Sequence, residues 1–238
     1  MLVGYQKTIS MKTYILKRIA GLACAVALWA PALTHGDAPS TVNSGEALKL
    51  LQAGNQRYVD GKLNSITPEE MTQRRAELVQ GQKPFAVVVC CSDSRVGPEI
   101  IFDQELGNIF VVRTAGQVLD AAGIGSIEYA VAHLGSPLVL VLGHEHCGAV
   151  AAAVADAKEP GHIAAIVKAI RLAVKRTQGL KGDPVENAVQ ANVQDIAARL
   201  RATGPILAAK VNAGSLKVTG ATVSLSTGKV KLVPDGQE

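Results

Sequence analysis

VVVCCSDSRVGPE, residues 87–99, changes character halfway along. Three valines and two cysteines hold no polar side chain, and Ser92-Asp93-Ser94-Arg95 then brings an acid and a base. An unbroken apolar run of strand length is the pattern of a strand covered on both faces, the usual condition in a parallel sheet. A second stretch repeats the arrangement. Pro137 to Leu142 is apolar, Gly143 makes a turn, and His144-Glu145-His146-Cys147 follows. In both places the reactive side chains come just after a buried strand, where parallel α/β sheets bind ligands.

The flanking segments fit that frame. Phe85 to Cys90, Ile109 to Arg113 and Pro137 to Leu142 read as three buried strands. Ser44 reads as the cap of a helix with Ala47, Leu48, Leu50, Leu51 and Tyr58 on one side. Thr67-Pro68-Glu69-Glu70 opens another, which ends near Gly81: a cap, a proline at the first position and acids in the first turn. Gly125 to Leu134, Cys147 to Ala157, His162 to Gln178 and Pro184 to Ala202 are helical by periodicity. Residues 215–233, SLKVTGATVSLSTGKVKLV, alternate around a Ser226-Thr227-Gly228 turn and read as a strand and hairpin. The expectation is an α/β fold: a mainly parallel central sheet of about four to five strands flanked by α-helices.

Composition narrows the function classes. The 238 residues suffice for one domain with a sizeable core, and with 3% aromatics that core must be built from Ala, Val, Leu and Ile. The net charge of +4 is mild and no clustered basic footprint appears, which argues against nucleic-acid binding. Residues 1–36 have a different layout. Lys12, Lys17 and Arg18 precede an uncharged run from Ile19 to Leu33, and Ala30-Pro31-Ala32 and Gly36 close it. This is the order of a secretory signal peptide; the run is short for a bilayer span and Pro31 interrupts it, with a retained anchor as the lesser alternative and Met11 as an alternative start. The expectation is an exported protein, periplasmic or secreted, with one domain over residues 37–238 and no membrane attachment after the signal is removed.

Removing the signal removes Cys24 and leaves Cys90, Cys91 and Cys147. Three thiols cannot form a disulfide framework, no C-x-x-C is present, and adjacent cysteines bridge only with strain. A metal would protect them in an oxidising compartment. Cys91, His144 and Cys147 form a Cys₂His set at the ends of two strands, the donor set of a catalytic zinc with an open fourth position. Cys90, one residue earlier, should face the other side of the sheet and pack. Asp93 and Arg95 lie two apart, so in extended chain they can pair bidentately.

CSDSR, then RTAG, then GHEHCGA resemble the β-class carbonic anhydrases, whose signature is C-x-D-x-R followed by H-x-x-C. The resemblance runs from about Glu46 to Gly228. It implies one zinc per chain held by Cys91, His144 and Cys147, and hydration of carbon dioxide to bicarbonate by a zinc-bound hydroxide. It implies that Asp93, held by Arg95, orients the nucleophile, and that released Asp93 swings onto the zinc and closes the site. It implies a substrate pocket of Gln82, Phe110, Ala115, Gly116 and Gly148, with Gln82 and the aromatic wall often supplied by a neighbouring subunit, hence a homodimer or dimer of dimers. Thr114 and Gln117 depart from the Asn common in relatives. Trp29, the sole Trp, lies in the signal, which argues for an enzyme without the Trp-containing bicarbonate gate of some relatives. Two thiolates already neutralise a zinc dication, so activity should rise above neutral pH.

Other readings share these ligands. The same fold could hydrolyse carbon disulfide or carbonyl sulfide. A non-catalytic zinc protein would keep Asp93 on the metal, against which Arg95 offers a competing partner. His146 could relay protons. His133 and His162 read as ordinary helix residues, and Lys168, Arg171, Lys175 and Arg176 as a solvated helix face.

Overall fold

The computed structural model describes residues 42–234. The reading of residues 1–36 as an export signal, with Met11, Cys24 and Trp29, lies outside the described residues. No described helix is long and apolar enough to cross a membrane. In chain order the elements are α1 (Ser44–Val59), α2 (Pro68–Glu77), β1 (Ala86–Cys91), α3 (Pro98–Ile101), β2 (Ile109–Thr114), α4 (Ala121–Ala132), β3 (Leu138–His144), α5 (Gly148–Val154), α6 (Ile163–Thr177), α7 (Pro184–Ala202), α8 (Ile206–Asn212), β4 (Lys217–Val223) and β5 (Val230–Val233).

The five strands form one sheet in the order β2-β1-β3-β4-β5. The first four are parallel and β5 returns antiparallel to β4, as the hairpin pattern required. Alternation decides the two cores. Val88, Cys90, Leu138, Leu140 and Leu142 pack with Ala47 and Leu51 of α1, Val150 of α5 and Ile170 of α6. Val87, Val89, Val139 and Val141 pack with Ile127 of α4, Val193 and Leu200 of α7 and Leu207 of α8. Both faces of β1 and β3 are therefore covered, which is why those runs carry no polar residue.

The structure corrects several local readings. Asn43, not Ser44, caps α1: its side chain accepts from Gly45 and Glu46 N–H, and Glu46 reaches back to the Asn43 N–H. Helix α4 begins at Ala121 under an Asp120 cap, earlier than expected, because Gly123 and Gly125 hide the apolar period of its first turns. Strand β2 is half-buried, since it is an edge of the sheet and pairs only with β1. The seven residues of α8 are too few to show a period. Thr67 does cap α2, and α7 has the expected bounds.

Candidate metal centre

Strand β1 ends at Cys91 and β3 at His144, and the two strands are neighbours, with Cys90 opposite Leu142. Their ends therefore deliver Cys91 and His144 to one place. Three residues after His144 the chain turns into α5, and Cys147 sits at its N-cap. The Cys91 and Cys147 sulfurs and a His144 ring nitrogen lie within 4.8 Å of one another, and all three residues are buried.

The surroundings prepare these atoms for a cation. The His144 Nδ1–H donates to the Glu145 carbonyl at 2.8 Å. That fixes the tautomer and leaves Nε2 as the lone-pair nitrogen; Nε2 is buried and has no hydrogen-bond partner among the described residues. Glu145 is itself tied to the end of β4: its N–H donates to Val223 O at 3.2 Å, and its carboxylate accepts the Leu225 N–H at 2.9 Å. The Cys91 sulfur accepts N–H groups from Asp93 at 3.4 Å and Gly116 at 3.3 Å. A hydrogen bond from Cys147 pulls the Cys91 thiol well below its ordinary value, and Cys147 in turn is pushed up and keeps its proton. Burial is the largest influence on the His144 imidazole and pulls it down, but the Cys91 sulfur, the Glu145 carbonyl and the Asp93 charge together outweigh it and the net shift is upward. Two sulfurs and a free imidazole nitrogen, sharing a proton that a metal would displace, suit a divalent borderline-soft ion.

Asp93 and Arg95 pair as expected, but across a turn and not along extended chain: Val96 N–H donates to Asp93 O at 3.1 Å. Arg95 Nε and Nη2 reach Asp93 Oδ1 and Oδ2 at 2.9 and 2.7 Å, and the Arg95 N–H also donates to Oδ1 at 3.0 Å. The Arg95 hydrogen bonds hold the Asp93 carboxyl far below the ordinary carboxylate range. Asp93 Oδ2 stands 3.9 Å from His144 Nε2, on the rim of the cluster.

Of the expected pocket residues, Ala115 and Gly116 form the 3₁₀ turn after β2, and Gly148 is the first residue of α5, so all three adjoin the ligands. Phe110 and Gln82 do not reach them within the chain. Phe110 pairs with Val87, four register positions before the Cys91–Thr114 pair. Gln82 lines an open groove of about 600 Å³ with Leu106, Tyr129 and Leu134. Cys90 is fully buried and its thiol is pushed up to about 12, chiefly by burial, so it packs as expected. His146 has an exposed side chain and a left-handed backbone, φ 51°.

Sequence reasoning missed three supporting residues. Arg113 donates from Nε to Cys91 O at 3.0 Å and from Nη2 to Asp93 O at 2.7 Å, clamping the loop between them. It stands in the RTAG fragment, where a base at the end of a strand next to CSDSR was a usable signal. Glu186 and Asn192, on α7, gave none, because nothing local in the sequence ties that helix to the ligands.

The chain matches the carbonic anhydrase family over residues 86–230. It is 44% identical over 200 residues to "Carbonic anhydrase 2" of Mycobacterium tuberculosis, covering 82% of this chain and 94% of that one. Among solved structures, the Coccomyxa β-carbonic anhydrase in complex with acetazolamide aligns with TM-score 0.64 and 28% identity over 78% of this chain and 85% of that one. A tetrameric β-carbonic anhydrase of Sordaria macrospora shares the fold, with TM-score 0.66 and 23% identity over 78% and 96% of the two chains. On the Cys-His-Cys cluster, the sheet that builds it and these likenesses, the chain belongs to the β-class carbonic anhydrase family.

Proposed function

We propose that the protein is a zinc-dependent carbonic anhydrase that interconverts carbon dioxide and bicarbonate. The observation that carries this reading is the convergence of Cys91, His144 and Cys147 beside an Asp93 carboxylate that Arg95 holds off them. Those three residues would hold zinc, which supplies a Lewis acid that acidifies a water at the fourth position. The remaining work falls to the chain. Asp93 is ionised and can only accept, so it takes a hydrogen bond from the attacking water and turns a lone pair toward the carbon of carbon dioxide. Arg95 keeps that carboxylate aimed and stops it from becoming a fourth ligand. Ala115, Gly116 and Gly148 adjoin the ligands and bring no polar side chain to them. Water adds to carbon dioxide, bicarbonate leaves, and one proton goes to solvent.

Gln82 and Phe110 stand away from the ligands of their own chain, which supports a second copy bringing its own pair to the site. The groove that Gln82 shares with half-exposed Leu106 and Tyr129 is the face assigned to that copy. The Sordaria macrospora enzyme is tetrameric, and a dimer or dimer of dimers is proposed here. Export to the periplasm or the medium is proposed from the order of residues 1–36.

The test is stopped-flow hydration of carbon dioxide by the zinc-loaded protein from neutral to alkaline pH. Rapid proton release that is lost in Cys91→Ser supports the reading. No turnover at any pH with one zinc bound per chain overturns it.

A further inference from the structure

Helix α7 lies unusually close to the sheet just behind the metal ligands. A Cβ at Gly143, the residue before His144, would meet Val193 at 2.6 Å and Val189 at 3.1 Å. At Gly220 of β4 it would meet Val193 at 2.5 Å. Two strand positions without side chains thus let the helix settle where its polar residues reach both sulfur-bearing segments.

Two contacts result. Glu186 Oε1, in the first turn of α7, accepts the His146 N–H at 2.8 Å. His146 is left-handed, a conformation that a residue with a Cβ leaves readily unless held. Its carbonyl accepts from Arg95 Nη2 at 3.4 Å. The residue that immediately precedes Cys147 is therefore clamped at both ends, by Glu186 on one side and the Asp93–Arg95 pair on the other. Further along α7, Asn192 Nδ2 donates to Gly116 O at 3.0 Å in a buried position. Gly116 in turn donates its N–H to the Cys91 sulfur. Asn192 is the sole polar residue among the buried residues of α7, which are otherwise Ala, Val, Ile and Leu. A buried amide on an apolar stripe carries a desolvation cost that its hydrogen bond must offset, and the bond it makes goes to the turn that touches a ligand.

We propose that Glu186 and Asn192 are positioning residues of the metal centre, Glu186 setting the loop that presents Cys147 and Asn192 the turn that hydrogen-bonds Cys91. This rests on the reading of Cys91, His144 and Cys147 as a zinc site. Neither residue touches a ligand directly. Each fixes a main-chain segment that does, and loss of such outer support costs about 10- to 100-fold in metal affinity.

The test measures zinc affinity by competition with a chromophoric chelator, alongside urea denaturation of the metal-free full-length chain. Glu186→Ala and Asn192→Leu are expected to bind zinc at least 10-fold more weakly. Their cobalt-substituted forms should show shifted sulfur-to-metal charge-transfer bands. Glu186→Gln keeps the acceptor oxygen and should retain affinity close to the parent's. Asn55→Ala removes a buried amide that ties Ile101 and Gly228, and serves as the control that loosens the fold without loosening the site. Should Asn192→Leu fail to fold, Asn192→Ser takes its place. The proposal is overturned if the Ala and Leu variants bind zinc as the parent does. It is also overturned if Glu186→Gln loses as much as Glu186→Ala, or if Asn55→Ala weakens zinc equally. A parent that holds no zinc would instead remove the zinc-site reading itself.

Discussion

Arg95 grips Asp93 as a two-toothed fork, 2.9 Å from Nε to Oδ1 and 2.7 Å from Nη2 to Oδ2. A bidentate pair of this kind fixes orientation as well as charge. Asp93→Ala should keep zinc but lower turnover by about 100-fold or more, the usual weight of a positioned acid–base group. Arg95→Ala should lower turnover too, and for another reason: a freed Asp93 carboxylate would add an oxygen to the metal's ligands. X-ray absorption at the zinc edge distinguishes the two. Full activity in Asp93→Ala would remove Asp93 from the mechanism.

Cys147 retains a proton that Cys91 has given up. Zinc uptake must displace it, so titration of the metal-free protein with zinc in weak buffer should release protons, and the measured heat should depend on the buffer chosen. Cys147→Ser should abolish zinc retention after gel filtration. A variant that kept one zinc per chain would show that Cys147 is not a ligand.

Much of this centre is legible in the sequence. Cys91 and His144 stand at the ends of apolar runs, and two such runs in a parallel sheet expose their ends together. The Asp93–Arg95 spacing was legible, though the turn that joins them was not, because a two-residue offset fits both extended chain and turn. Asn192 and Glu186 were illegible. They act through main-chain groups of Gly116 and His146, 76 and 40 positions away, and side chain to backbone contacts leave no residue-type signature. Asn43 was missed for a simpler reason: Asn and Ser are both strong caps and stand side by side.

Asp195 of α7 pairs with Arg176 of α6, yet its second oxygen is buried and unpartnered among the described residues. Burial raises its carboxyl above the ordinary 3.8, with Arg176 opposing. The folded protein thus binds a proton that the unfolded chain has lost, and stability falls as pH rises through that window. Asp195→Asn cannot ionise and should escape the loss. At pH 7 its urea midpoint should equal or exceed the parent's, and below the ordinary carboxyl value the two should coincide. A clearly lower midpoint at pH 7 would mean that the attraction to Arg176 outweighs burial.

Gly220→Ala should destabilise by about 1–3 kcal/mol, the usual cost of overpacking, because its Cβ would press on Val193. Adding Val193→Ala should recover part of that loss, since the two sites share one contact. Urea denaturation of the single and double variants gives the coupling. Strictly additive losses would show that α7 does not rest on Gly220 as described.

Tyr129→Glu places a charge on the groove that holds Gln82. If a second copy covers that face, sedimentation should shift toward the single-chain mass and turnover should fall with it. An unchanged sedimentation coefficient would assign the assembly to another surface.

The parallel pairing of β1 with β3 also sets an order of events in time. His144 lies 53 positions after Cys91, and the two meet only once that long loop has closed. Loop closure precedes the contacts that reward it, so parallel pairing comes slowly. In the denatured chain only His144 and Cys147, three positions apart, are near enough to share a metal, and Cys91 joins them when β1 pairs with β3. The complete three-donor set therefore comes into being with the sheet, and its hold on zinc reports that β1 and β3 have paired.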